Sequence, residues 1–115
     1  MTESHLSIFI VSDSLGETAQ RMVHAVMSQF PTLEQVEIKK FSFIKDKAEL
    51  INILDLAKDR SAVVVTTLAL KEYQSAGKAY AMEKGILMCT PKVGLKNLTL
   101  WGAFLWVNII NLKSS

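Results

Sequence analysis

Hydrophobic and polar positions along this chain switch repeatedly between two periods. Leu6-Ser7-Ile8-Phe9-Ile10-Val11 is a short, β-branched apolar run that gives way at once to turn-forming residues. It predicts a strand buried on both faces, as in a parallel sheet. The period then lengthens. Ala19, Met22, Val23, Val26, Met27 and Phe30 fall on one helical stripe, which Pro31 stops. From Gln35 to Phe43, Val36 and Ile38 alternate, then Phe41 and Phe43, with Lys39-Lys40 breaking the phase. That pattern predicts a half-exposed edge strand with an irregularity.

Asp46 opens a second helix, with Glu49 three residues on as a capping-box partner and Leu50, Ile53, Leu54 and Ala57 as the buried stripe. Residues 61–68 predict a second strand buried on both faces. Leu70, Tyr73, Gly77, Tyr80 and Ala81 mark a third helix closed by Lys84-Gly85, and residues 86–88 open a fourth strand. Strands that alternate with helices imply right-handed crossovers. The expected fold is therefore α/β: a three-layer, Rossmann-like sandwich with a mostly parallel sheet.

Composition narrows the class. The chain has 115 residues, half of them hydrophobic, with 13 basic against 11 acidic side chains and a net charge of +2. Such a chain makes one domain and is too apolar for intrinsic disorder. Its charges alternate in sign, which argues against a nucleic-acid footprint. One cysteine, Cys89, excludes an internal disulfide and a multi-cysteine zinc site, and reads as a buried structural thiol. The N-terminus has no signal-peptide pattern, so a cytoplasmic location is expected. Residues 98–112 are apolar but are broken by Asn108 and Asn111, and they fall short of the roughly twenty residues a spanning helix needs. No membrane role is expected.

Ligands of open parallel sheets bind at the carboxyl ends of the strands, beside free helix amides. The first such junction, Ser12-Asp13-Ser14-Leu15-Gly16-Glu17-Thr18, carries three hydroxyls, two acids and a glycine. Ser14 and Glu17 have capping-box spacing, Gly16 permits close backbone approach, and Ser12 and Thr18 have hydroxyls to donate to phosphate oxygens. The plainer alternative makes Ser14 and Glu17 ordinary helix-start residues and Asp13 a turn closer. Asp13 and Glu17 repel phosphate unless a metal or a cation intervenes, and Arg21 stands one turn further in.

Formal nucleotide motifs are missing. There is no G-x-G-x-x-G, and Gly77-Lys78 lacks the upstream glycine of a Walker A loop. His24 has no second ligand at i+4, so it reads as a surface histidine, and no metal site is expected. Lys39-Lys40 and Lys45-Asp46-Lys47 read as solvated faces, whereas Trp101, Phe104 and Trp106 form a sticky patch if unpartnered.

The order S-D-S-x-G-E-T-A from Ser12, followed by Ser28-Gln29-Phe30, resembles the opening of the pyruvate, phosphate dikinase regulatory protein family. Ala62-Val63-Val64-Val65-Thr66-Thr67-Leu68 is similar to that family's apolar strand ending in T-L. The resemblance runs from about Ile8 to about Gly85. It implies a bifunctional protein: an ADP-dependent serine/threonine kinase that inactivates the dikinase by phosphorylating a threonine beside its catalytic histidine, and a phosphate-dependent pyrophosphorylase that reverses this. ADP and inorganic phosphate are the implied substrates. The implied protein partner is the dikinase or, in a sister branch, phosphoenolpyruvate synthase; the loop here is closer to the dikinase branch.

Residues Ser12, Asp13, Ser14, Gly16, Glu17 and Thr18 match the family signature and are expected to face its cleft. The family's G-x-S-R-T-x-K-T nucleotide loop and its acidic D-D-G segment have no counterpart in the 115 residues. The expected organisation is thus an N-terminal family domain over residues 1–90. A divergent apolar tail over residues 91–115 then looks like a truncation or frameshift product. A chain without the phosphate cradle is expected to be inactive alone, with no catalytic residue assignable. Two other readings stand beside it: a small phosphate- or nucleotide-binding module without catalysis, and a structural homodimer subunit resting on the apolar tail.

Overall fold

In the computed structural model, which describes residues 5–28 and 35–90, four strands alternate with three helices. They are β1 (His5–Ser12), α1 (Glu17–Ser28), β2 (Gln35–Phe41), α2 (Lys47–Asp59), β3 (Val63–Thr67), α3 (Lys71–Lys84) and β4 (Met88–Cys89). All pairings are parallel and the sheet order is β2-β1-β3-β4. The expected end of the first helix at Phe30 and Pro31, and the tail over residues 91–115, lie outside the described residues.

The double-sided burial read from β1 has its cause in the layers on either side. Ile8 and Ile10 join Val63 and Val65 against Ala19 and Val23 of α1. Phe9 and Val11 join Val64 against Leu50, Leu54 and Ala57 of α2 and against Tyr73 and Ala81 of α3. α1 therefore covers one face while α2 and α3 cover the other, which is the three-layer sandwich. At the contact between α2 and α3, a Cβ on Gly77 would sit 3.4 Å from the Leu50 side chain.

Two local expectations are corrected. β2 is the edge strand, but its register against β1 runs unbroken from Gln35 to Phe41, so Lys39-Lys40 make no bulge. The change of phase arises because Val36 and Ile38 face the α1 layer whereas Phe41 packs on Phe9 in the opposite layer, with ring centroids 5.2 Å apart. Phe43 lies beyond the strand, 57% exposed, with a left-handed φ of 57°.

At α2 the capping expectation holds with a shift of one residue. Asp46 Oδ1 accepts from the Glu49 amide at 2.8 Å, but the Glu49 carboxylate reaches back to the Lys45 amide, at 2.9 Å.

Cys89 is buried in the α1 layer, and burial pushes its thiol up from about 9 to about 11. The buried form is the neutral thiol, so its contribution to stability is complete below pH 9. The unfolded chain loses its proton first on going from pH 9 to 11, so stability must fall across that window, by about 3 kcal/mol. Thermal midpoints of the chain and of its Cys89→Ser variant, compared between pH 8 and 11, check this. The alkaline fall should be shallower in the variant.

Candidate functional site

Because α1 follows β1 on one face and α3 follows β3 on the other, the loops leaving these two neighbouring strands part at their carboxyl ends. This is the switch point at which open α/β sheets bind ligands. Here it holds a depression of about 280 Å³ lined by Ser14, Leu15, Gly16, Glu17, Thr18 and Thr67. Pockets for whole drug-sized ligands occupy roughly 300–1,000 Å³. This space suits a phosphate group better than a complete nucleotide.

Hydrogen bonding fixes the loop. Ser12 is buried, and its Oγ donates to the Thr67 carbonyl at 3.0 Å while accepting from the Ser14 amide at 3.0 Å. A hydroxyl has one proton, and that of Ser12 is engaged on a carbonyl. The 3.1 Å contact between the Ser12 and Ser14 hydroxyls is therefore donated by Ser14. The exposed Ser14 Oγ keeps its lone pairs outward and serves as an acceptor. Ser12 thus props the loop, and the donors left for an anion lie elsewhere.

Those donors are backbone amides. The Gly16 carbonyl accepts the first bond of α1, from Gln20 at 3.1 Å, so Gly16 is the cap and Glu17 is the first helical residue. The expected Ser14–Glu17 capping box does not form, because its acid stands at the first helical position instead of the third. Among the described residues, the Glu17, Thr18 and Ala19 amides have no acceptor. Gly16 adopts φ +82°, which favours glycine, and a Cβ there would lie 3.3 Å from that of Ser12.

Asp13 points away from this space. Its carboxylate accepts from the Ala69 amide at 3.1 and 3.0 Å and from the Leu70 amide at 3.1 Å. Arg21 lines a neighbouring depression of about 420 Å³ on the outer side of α1, with Glu17, Gln20 and the exposed His24.

Lys40 runs beside Gly16: its stem passes 3.7 Å from a Cβ built there and its Nζ donates to Gln20 Oε1 at 2.9 Å. Sequence alone reads Lys40 as part of a solvated face and Thr67 as a strand residue, with no part in a site. The available signal was their place at the carboxyl ends of the strands flanking β1. The loop after β2 closes this side: Phe43 donates to the Ser14 carbonyl at 2.9 Å and Ser42 Oγ to the Leu15 carbonyl at 2.8 Å. Among the described residues, no group of three His, Cys, Asp or Glu is placed to hold a metal, and no helix is long and apolar enough to cross a membrane.

Comparison with known proteins identifies the family of this region. The family model described as kinase/pyrophosphorylase matches residues 8–92, which include every loop around the depression. A Staphylococcus epidermidis protein named as pyruvate, phosphate dikinase regulatory protein 2 is 56% identical over 81 residues, 70% of this chain and 30% of its own length. A Staphylococcus haemolyticus regulatory protein 1 is 54% identical over 84 residues, 73% of this chain and 30% of its own. A Clostridioides difficile protein of the same name is 41% identical over 86 residues, 75% of this chain and 31% of its own. The chain thus spans about 30% of the length of these relatives. With the matched region covering all but the first three described residues and including the switch-point loops, this chain belongs to the kinase/pyrophosphorylase family.

Proposed function

We propose that the switch-point depression is the phosphate-facing part of a cleft in a protein that regulates pyruvate, phosphate dikinase by phosphorylation and dephosphorylation. The observation carrying this reading is that, among the described residues, the Glu17, Thr18 and Ala19 amides have no acceptor, at a helix start that opens at Gly16 onto a space of phosphate size. Helix amides and the dipole behind them favour an anion there. ADP and inorganic phosphate are the ligands in view. Ser14, Gly16 and Thr18 line the space, Thr67 forms its opposite wall, and Ser12 holds the loop in shape.

A protein partner fits the surroundings. Leu15, Phe43 and Leu70 are exposed large apolar side chains on the three loops at this one end of the sheet. We assign the dikinase as that partner, with phosphoenolpyruvate synthase as the outcome to be tested beside it. The free thiol of Cys89 suits a reducing cytoplasm.

Phosphoryl transfer needs cations around the moving group. The lining of the depression contains no lysine or arginine, and the 115 residues contain no G-x-S-R-T-x-K-T loop. Residues 1–115 by themselves are therefore expected to bind and position phosphate without transferring it. Incubation of the chain with dikinase and ADP radiolabelled in its terminal phosphate tests this. Bound ADP without labelled dikinase is expected. Robust labelling would overturn the non-catalytic reading, and absence of any ADP or phosphate binding would overturn the site.

A further inference from the structure

Asp13 belongs to the loop after β1, yet all three of its hydrogen bonds go to the loop after β3. Oδ2 accepts from the Ala69 and Leu70 amides at 3.0 and 3.1 Å, and Oδ1 accepts from Ala69 at 3.1 Å. Those amides lie just ahead of α3, whose cap residue, Leu70, supplies no side-chain bond. Asp13 thus holds the entry to α3 from 57 positions earlier in the chain. Bonds from amides to a carboxylate are charge-assisted, and the positive end of α3 adds to them.

From this geometry we infer that Asp13 is a positioning residue, a latch across the switch point that sets the distance between Gly16 and Thr67. The inference rests on reading the depression as the phosphate site and adds to it how that site keeps its width. Two observations beyond the bonds support it. The carboxylate does not line the depression, although both neighbouring stretches, Ser14–Thr18 and Thr67, do. A second tie between the same loops, from Ser12 Oγ to the Thr67 carbonyl at 3.0 Å, anchors the inner end of the crevice and leaves Asp13 to hold the outer end. The latch also turns the carboxylate out of the depression and onto amides whose dipoles offset part of its repulsion of phosphate.

Asp13→Asn tests this, since it keeps the shape but leaves one acceptor for two amides and faces an NH₂ toward them. Amide resonances of the full chain are read for Asp13→Asn and for Asp46→Ala, which removes the side-chain cap of α2 without touching the bonds between the loops after β1 and β3. Leu70→Pro is a second variant. It deletes one of the two donors at a φ of −78° that proline adopts without strain. Asp13→Asn and Leu70→Pro are expected to shift the Gly16, Glu17 and Thr18 amides as well as their own neighbours. Asp13→Asn should also weaken binding of inorganic phosphate about tenfold, the factor attached to a lost charge-assisted bond. Asp46→Ala should lower the thermal midpoint and leave those amides in place.

Asp13→Asn confined to shifts at Ala69 and Leu70, with phosphate binding intact, would overturn the latch. So would equal shifts at Gly16 in Asp46→Ala. If the unaltered chain binds no phosphate, the functional reading fails. The latch is then judged by the amide shifts alone.

Discussion

Phe9→Ala is expected to lower the unfolding free energy of this chain by about 3–5 kcal/mol, the range for deleting a buried aromatic ring. Phe9 heads the fully buried side chains and lies at the centre of the layer between the sheet and the helices α2 and α3. Its ring meets Phe41 at a centroid distance of 5.2 Å and a tilt of 51°, so the variant loses an aromatic pair as well as apolar burial. Domains of this kind are stable by about 5–15 kcal/mol in all. The loss is therefore a large fraction of what holds the sheet together. Urea denaturation followed by circular dichroism reads it as a fall in midpoint at unchanged slope. Phe9→Leu, closer in volume, should cost less than half as much, and equal losses for the two would contradict the assigned contact.

Gly16→Ala should have the largest effect on the site. The residue holds φ +82°, a conformation costing an L-residue about 1–2 kcal/mol. Its new Cβ would also stand 3.3 Å from that of Ser12. Ser12 is fixed by three hydrogen-bonding contacts and cannot yield without loosening the Thr67 wall. Phosphate binding is expected to drop at least about tenfold, as follows from displacing a positioned backbone donor. Gly85→Ala supplies the comparison. It shares the left-handed φ, +71°, but a Cβ there meets nothing within 4 Å. It should lose similar stability while keeping phosphate affinity. Calorimetric titration with inorganic phosphate, paired with thermal melts, separates the two variants.

Periodicity made the architecture legible, because the side chains that repeat every two or every three to four positions are those the layers bury. Ile8 and Ile10 against Phe9 and Val11 is such a case: the alternation places successive residues in different layers, and both layers are apolar. Phe43 continues the apolar alternation of β2, yet backbone bonding to Ser14 holds it exposed in a left-handed turn, a partner that alternation does not reveal.

The loop after β1 stood out by composition, yet the roles within it depend on partners far along the chain. Asp13 is engaged by amides 56 and 57 positions away, and the proton of Ser12 by a carbonyl 55 positions away. Thr67 and Lys40 enter the site only through strand order, since β1 lies between β2 and β3. No local motif records that adjacency.

The central claim is that phosphate settles on the first turn of α1 at the switch point. Titration of the ¹⁵N-labelled chain with inorganic phosphate and with ADP tests it most directly. The account predicts saturable shifts at the Gly16, Glu17, Thr18 and Thr67 amides, larger for these than for the α2 and α3 surfaces. Unmoved resonances there at millimolar ligand, or shifts centred on another face of the sheet, would contradict it.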